Sequence, residues 1–304
     1  MHSPGTGIGQ HMAIRFGDNT VILCCDDDLL CQQLSTLIGH CLVDVLSPDS
    51  PAPSSTLQVA SEQGQSWLLR KDGTQICEGL SRADMAERLV YEVTIALVVG
   101  SPDRLVFHAA GLAKGETGLI LGGESGSGKS TLSTCMLARS YDFLSDELVS
   151  VSLTGEAMQG FPRSIALKRS LDSHHWLHHL IKRPPPCTAS GISYVDPDSL
   201  RPGCVRDLVR PGILLFPKYL ANASTTMRRL SPAEAAYRLM ALLLNATLFP
   251  DRGFSAVARF ARSLAAYSLD YADADQAAKC IEQAIERGFC SSSIGKGGPD
   301  KSLS

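Results

Sequence analysis

The run Gly123-Glu124-Ser125-Gly126-Ser127-Gly128-Lys129-Ser130 constrains this chain more than any other stretch. Its glycines and small polar residues leave little side chain to fill a turn, so successive backbone N–H groups can converge on one point. The spacing G-x-x-x-x-G-K-S sets a lysine at the close of that turn, with the hydroxyls of Ser130 and Thr131 directly behind it. Gly118 to Leu121 before the turn reads as a buried strand, and Lys129 to Arg139 after it as a helix. Strand, glycine turn and helix N-terminus together make an anion cradle, because the helix dipole adds partial positive charge to the converging amides. Gly123 to Thr131 is therefore expected to hold the phosphates of a nucleotide such as ATP. Lys129 would reach the β- and γ-phosphates, and Ser130 would ligate Mg²⁺.

Composition sets the limits around this motif. The chain has 304 residues, 44% hydrophobic and 19% charged, with a net charge of −3. That is enough apolar material for one large domain or two ordinary ones, and it excludes global disorder. No basic footprint points to a nucleic-acid partner. No apolar run reaches the ~18 residues of a membrane span; the longest, Leu239 to Phe249, is broken by Asn245. The first residues, MHSPGTGIGQHM, lack a basic start followed by an apolar stretch, so no secretory signal is expected. The ten cysteines are irregularly spaced, without C-x-x-C, and read as small buried thiols of a reducing cytosol. A cytoplasmic location is the expectation.

Residues 1–100 read as a small α+β unit, for substrate recognition or assembly. It has strands at Thr20–Cys25, Thr56–Ala60, Ser66–Lys71 and Thr74–Glu78, a helix at Asp28–Leu37 and a Pro/Ser loop at Ser47–Ser55. Ser81 caps a helix running to Val99. Residues 101–290 form the second unit. Leu105–Ala109 is a strand continued by Gly111–Lys114, Tyr141–Leu144 is a short strand ending in Ser145-Asp146-Glu147, and Leu148–Leu153 is another. A strand is expected at Ser164–Lys168, a helix at Ser170–Leu180 and a long mobile loop from Pro184 to Asp207. Gly212–Phe216 is a buried strand. Ser231-Pro232-Ala233-Glu234 is a capping box opening a helix to about Leu248. A helix at Phe254–Leu264, a strand at Tyr267–Tyr271 and a helix at Asp273–Glu286 follow, and residues 291–304 read as a disordered tail.

A phosphate cradle alone does not separate a hydrolase from a kinase. Asp146 closes a strand soon after the cradle's helix, which sets a carboxylate where Mg²⁺ and an attacking group would lie. Glu147 beside it points to the other face if the chain stays extended. His108 lies in an apolar strand 21 residues before Lys129. It reads either as a core histidine or as a group that hydrogen-bonds a phosphate oxygen or orients Asp146. Arg163 and Lys168 would supply charge to a transferring phosphoryl group, or lie on the surface at a strand end. His174 and His178 fall i, i+4, but no carboxylate stands at the H-E-x-x-H position, so they read as a solvated or substrate-facing helix. No LSGGQ or N-K-x-D segment occurs.

The order strand-histidine, hairpin, glycine turn, helix, acidic pair resembles the catalytic domain of bacterial HPr kinase/phosphorylase and its shorter relatives. The likeness runs over Leu105–Val151 and faintly on to Tyr271. His108 stands about twenty residues before the cradle lysine, and Asp146 and Glu147 stand seventeen and eighteen after it, as in that family. This chain differs in having Ala109 after the histidine, Glu147 as the second acid and Phe161-Pro162-Arg163 downstream. The resemblance implies an α/β fold, a P-loop kinase domain of the HPr kinase/PEP carboxykinase type with a mixed sheet. It further implies ATP and Mg²⁺, and Asp146 as base toward a serine hydroxyl of a protein or peptide. The shorter relatives include kinases of ribosomally made peptides such as lasso-peptide precursors, and family members form homo-oligomers. Whether Asp146 is chiefly base or metal ligand stays open, and a small-molecule kinase, an ATPase or a nucleotide-binding regulator are the alternatives.

Overall fold

The computed structural model describes residues 10–43, 52–62, 66–168 and 192–293. Two sheets organise them. The first has six strands in the order β3-β1-β2-β4-β5-β6. Its strands are β1 (Gln10–Phe16), β2 (Asn19–Cys25), β3 (Leu42–Val43), β4 (Ser55–Glu62), β5 (Ser66–Lys71) and β6 (Thr74–Leu80). Only the β2–β4 pair is parallel. Two helices pack with it, α1 (Asp28–Ile38), capped by the Asp27 carboxylate, and α2 (Arg82–Val99), capped by the Ser81 hydroxyl. Alternating apolar residues of β2, such as Val21 and Leu23, meet Leu30 and Leu34 of α1 and Met85 and Leu89 of α2. The same core takes in Val106, Leu148 and Phe161 from the second half of the chain.

The second sheet is mixed and has eight strands, ordered β11-β10-β7-β8-β14-β16-β15, with β9 also paired to β7. The strands are β7 (Arg104–Lys114), β8 (Thr117–Gly122), β9 (Asp142–Ser145), β10 (Leu148–Ser152), β11 (Met158–Gly160), β14 (Arg210–Tyr219), β15 (Thr226–Arg229) and β16 (Ala265–Tyr271). β8, β14 and β16 run parallel, so their carboxyl ends share one edge. β12 (Ile165–Leu167) and β13 (Ser193–Val195) form a separate pair, and α4 (Pro197–Leu200) follows. α3 (Lys129–Ala138) and α7 (Ala274–Ser293) cover one face of the sheet; α5 (Pro232–Met240) and α6 (Phe254–Arg262) cover the other.

Alternation along β7 explains where an open site can exist. Leu105, Phe107 and Ala109 enter the core beneath α5 and α6. On the opposite face Val106 joins the first sheet's core, while Ala110 and Leu112 join that under α3. His108 lies between these two cores and is the position left to a cleft.

Several expectations are corrected. β1 was not anticipated, because its polar start hides the alternation of Met12, Ile14 and Phe16. The helix opened by Ser231 ends at Met240 rather than Leu248. There the chain turns to cap the edge of β7: Leu244 N–H donates to Val106, and buried Asn245 binds Val106 N–H and the carbonyls of Ser101 and Arg104. The segment expected as loop to Asp207 contains β13 and α4, and the final helix reaches Ser293. The Ser47–Ser55 loop up to residue 51, the Ser170–Leu180 helix with His174 and His178, the Pro184 start of the long loop and the tail after 293 lie outside the described residues. Eight cysteines among the described residues are free thiols, most of them buried. Among the described residues, no helix is long and apolar enough to cross a membrane.

Candidate functional site

The turn between β8 and α3 adopts backbone that side chains resist. Gly126 and Gly128 have φ of +84° and +94°. A Cβ on Gly128 would lie 2.1 Å from the Tyr271 hydroxyl, so both conformation and space demand glycine there. That hydroxyl donates to the Gly128 carbonyl at 2.9 Å, and Tyr219 N–H donates to Ser127 O at 3.0 Å. The turn is thus braced from β14 and β16, its parallel neighbours. Lys129, only 7% exposed, folds back and donates to the carbonyls of Gly123 (2.6 Å) and Glu124 (3.0 Å). Burial lowers its pKa below the ordinary lysine range, while Asp146 and Glu147 oppose that shift.

Asp146 faces this lysine's helix. Ser130 Oγ donates to its Oδ2 at 2.9 Å, and Ala166 N–H does so at 3.3 Å. The residue is 4% exposed, and its Oδ1 is buried with no partner among the described residues. Burial raises this carboxyl to about 6, with Glu147 adding to the rise and Arg163 and Ser130 restraining it.

Glu147 does not take the opposite face. The chain bends at 146–147, where the Ser145 hydroxyl accepts from the N–H groups of Glu147 (3.1 Å) and Leu148 (2.9 Å) and donates to Phe161 O. With extended geometry lost, both carboxylates line one cleft. Glu147 Oε1 lies 3.2 Å from His108 Nδ1, and its Oε2 2.7 Å from Arg163 Nη2. Burial pushes this carboxyl up, but His108 and the Arg163 guanidinium outweigh it and hold Glu147 at about 2. His108 therefore pairs with Glu147, not with Asp146, which was one of the roles its position left open. Lys168 Nζ meets Ser125 Oγ across the mouth of the turn.

The cleft encloses about 700 Å³, within the usual range for a small-molecule site. It brings together His108, Ser125, Gly126, Gly128 to Thr131, Asp146, Glu147, Arg163 and Lys168. Sequence reasoning missed Tyr194, Tyr219, Tyr271 and Asp273, which also line it. Tyr219 ends β14, which lies beside β8, Tyr271 ends β16, the next strand out, and the two rings meet edge to face at 5.9 Å. Aromatic residues closing buried strands were the available signal, but the order of strands that joins them to the turn is not written in local sequence.

The donor set fits a hard divalent cation. A hydroxyl and a carboxylate with one buried, unpartnered oxygen supply the few protein ligands that Mg²⁺ takes alongside phosphate oxygens and water.

No protein-family model matches this chain, and no curated protein does. A solved structure of the HPr(Ser) kinase/phosphatase from Coxiella burnetii aligns over 62% of this chain and 98% of its own, at 12% identity and a TM-score of 0.32.

Proposed function

We propose that the protein is a phosphotransferase that moves the γ-phosphoryl group of ATP to a hydroxyl, that of a serine in a protein or peptide. The observation that carries this reading is Asp146, a buried carboxylate with one oxygen held by Ser130 and the other unpartnered, opening into the cleft of the glycine turn. Transfer to a hydroxyl needs a base at this place to take the acceptor's proton.

The amides of Gly126 to Ser130 would receive the β- and γ-phosphates at the start of α3. Lys129 exchanges its bonds to the Gly123 and Glu124 carbonyls for phosphate oxygens; the reach is short because its ammonium already lies over the turn. Ser130 and Asp146 would hold Mg²⁺, which neutralises charge on the phosphates when bound. The acceptor oxygen bonds to the γ-phosphorus as the bridge from β- to γ-phosphate breaks, and its proton passes to the Asp146 carboxylate. A carboxyl raised to about 6 is ionised at neutral pH, yet basic enough to accept that proton. Arg163 and Lys168 supply positive charge at the mouth of the cleft, and the pair of His108 with Glu147 fixes Arg163 in place.

The test is labelled ATP with serine peptides, comparing the protein with Asp146→Asn. The expected result is labelled peptide from the first and retained nucleotide binding without transfer in the second. Release of free phosphate with no labelled acceptor would replace transfer by hydrolysis.

A further inference from the structure

Glu147 and Arg163 line a second cavity as well as the cleft. It encloses about 160 Å³, below the roughly 300 Å³ at which small-molecule sites begin, and has room for one extended side chain. Tyr194, Glu147 and Arg163 form the wall it shares with the cleft. Its far side is the first unit: Leu37 at the end of α1, and Glu87, Val90, Tyr91 and Thr94 of α2. Those four α2 positions repeat at three and four residues and make one helical stripe. The neighbouring stripe of α2, with Met85, Leu89, Val93 and Ala96, is spent on the core.

The cavity carries one acidic residue without an ion-pair partner among the described residues. Arg163 is committed to Glu147 at 2.7 Å. Among the described residues no cation pairs with Glu87, although Arg88 next to it is engaged by Glu92 at 2.6 Å. Glu87, an exposed residue, thus sets an unpaired carboxylate at the rim of a cavity whose other lining includes Tyr194 and Tyr91, the latter ring holding the Arg88 guanidinium at 5.5 Å. An acidic rim, the ring of Tyr194 and an aliphatic floor of Leu37 and Val90 suit one kind of visitor. It is a long alkyl stem ending in a cation.

We propose that this cavity is an acceptor-side subsite that takes a lysine or arginine side chain of the peptide next to its reacting serine. The inference rests on the kinase reading above and assigns acceptor choice to α2 of the first unit. The basic side chain enters behind the Glu147–Arg163 wall while the serine hydroxyl enters the cleft in front of it.

The experiment uses the full chain, labelled ATP and a positional library of peptides with one fixed serine. Lysine or arginine at one flanking position should be labelled about tenfold faster than glutamate, equivalent to about 1.4 kcal/mol. Glu87→Gln should shrink that preference to about twofold, and Glu87→Arg should reverse it. The change should appear in KM for basic peptides, with kcat and nucleotide affinity unaltered. Peptides labelled without a basic preference, or a preference that survives both variants, would overturn this subsite and leave the kinase reading standing. ATP bound with no peptide labelled would overturn the kinase reading itself, and the subsite with it. Glu87→Gln is isosteric, so the measurement does not depend on the reversed variant folding.

Discussion

The two sheets are built to different rules. In the first, strands alternate apolar and polar, Trp67 and Leu23 are buried among aliphatic neighbours, and the helices on it are capped by side chains. Both bury polar groups, Thr20, Ser55 and Glu92 among them with the first, but the second buries more: Lys129, Ser130's partner Asp146, Ser145, Ser150 and Asn245 are all nearly inaccessible. It also carries the left-handed glycines of the turn. Buried polar groups cost stability unless they are paired. Asp146 Oδ1 is one such unpaired atom, and the proposed chemistry gives it a use that would offset the cost.

The largest expected effect is at that atom. Asp146→Asn should lower transfer by about 10³-fold, the span of a lost general base. Rates with labelled ATP measure it, and a fall under tenfold would erase the proposed contrast between the sheets. The second effect is of the opposite kind. Trp67→Ala in the first sheet should destabilise by about 3–5 kcal/mol while the folded fraction transfers at the normal rate. Denaturant titration beside activity per folded molecule checks this.

A third, smaller effect tests that cost directly. The folded Asp146 has its pKa raised to about 6, above its ordinary 3.8. The folded state therefore holds its proton more tightly than the unfolded chain, and the ionised form carries a stability cost that is absent below pH ~4 and complete above pH ~6. Asp146→Asn should then be more stable than the parent at pH 7.5, by about 2 kcal/mol, with the gain disappearing near pH 4. Melting curves at the two pH values decide the matter, and a variant less stable at pH 7.5 would contradict it. The smallest effect separates structural from chemical burial within the second sheet. Asn245→Ala leaves Val106 N–H and two carbonyls unsatisfied and should cost about 1–2 kcal/mol without altering transfer.

What sequence made legible follows the range of the forces involved. The glycine turn, its flanking strand and helix, and the caps at Ser81 and Ser231 depend on residues within four positions of each other, and each is found where it was expected. The hairpin read between the strand of His108 and that of the glycine turn is local too, and the two strands do pair. Other features depend on distant partners. The helix from Ser231 stops early because Asn245 is needed by backbone 139 to 144 positions away. The bend that brings Glu147 to the same side as Asp146 depends on Ser145 reaching Phe161. Arg163 and Glu147 were each picked out for their charge, yet their pairing was not read from the sequence.

One contact seen in the fold has a reach beyond the site. Ser164, next to Arg163, donates through N–H and hydroxyl to the carbonyls of Leu37 and Thr36 at the end of α1, and Val106, Leu148 and Phe161 sit in the first sheet's core. Excising the leading hundred residues would strip that face of β7 and β10 bare and release the arginine from its mooring. The polypeptide should accordingly melt in one calorimetric peak, and damage far out on the leading sheet would be inherited by the reaction centre as lost occupancy of the folded form.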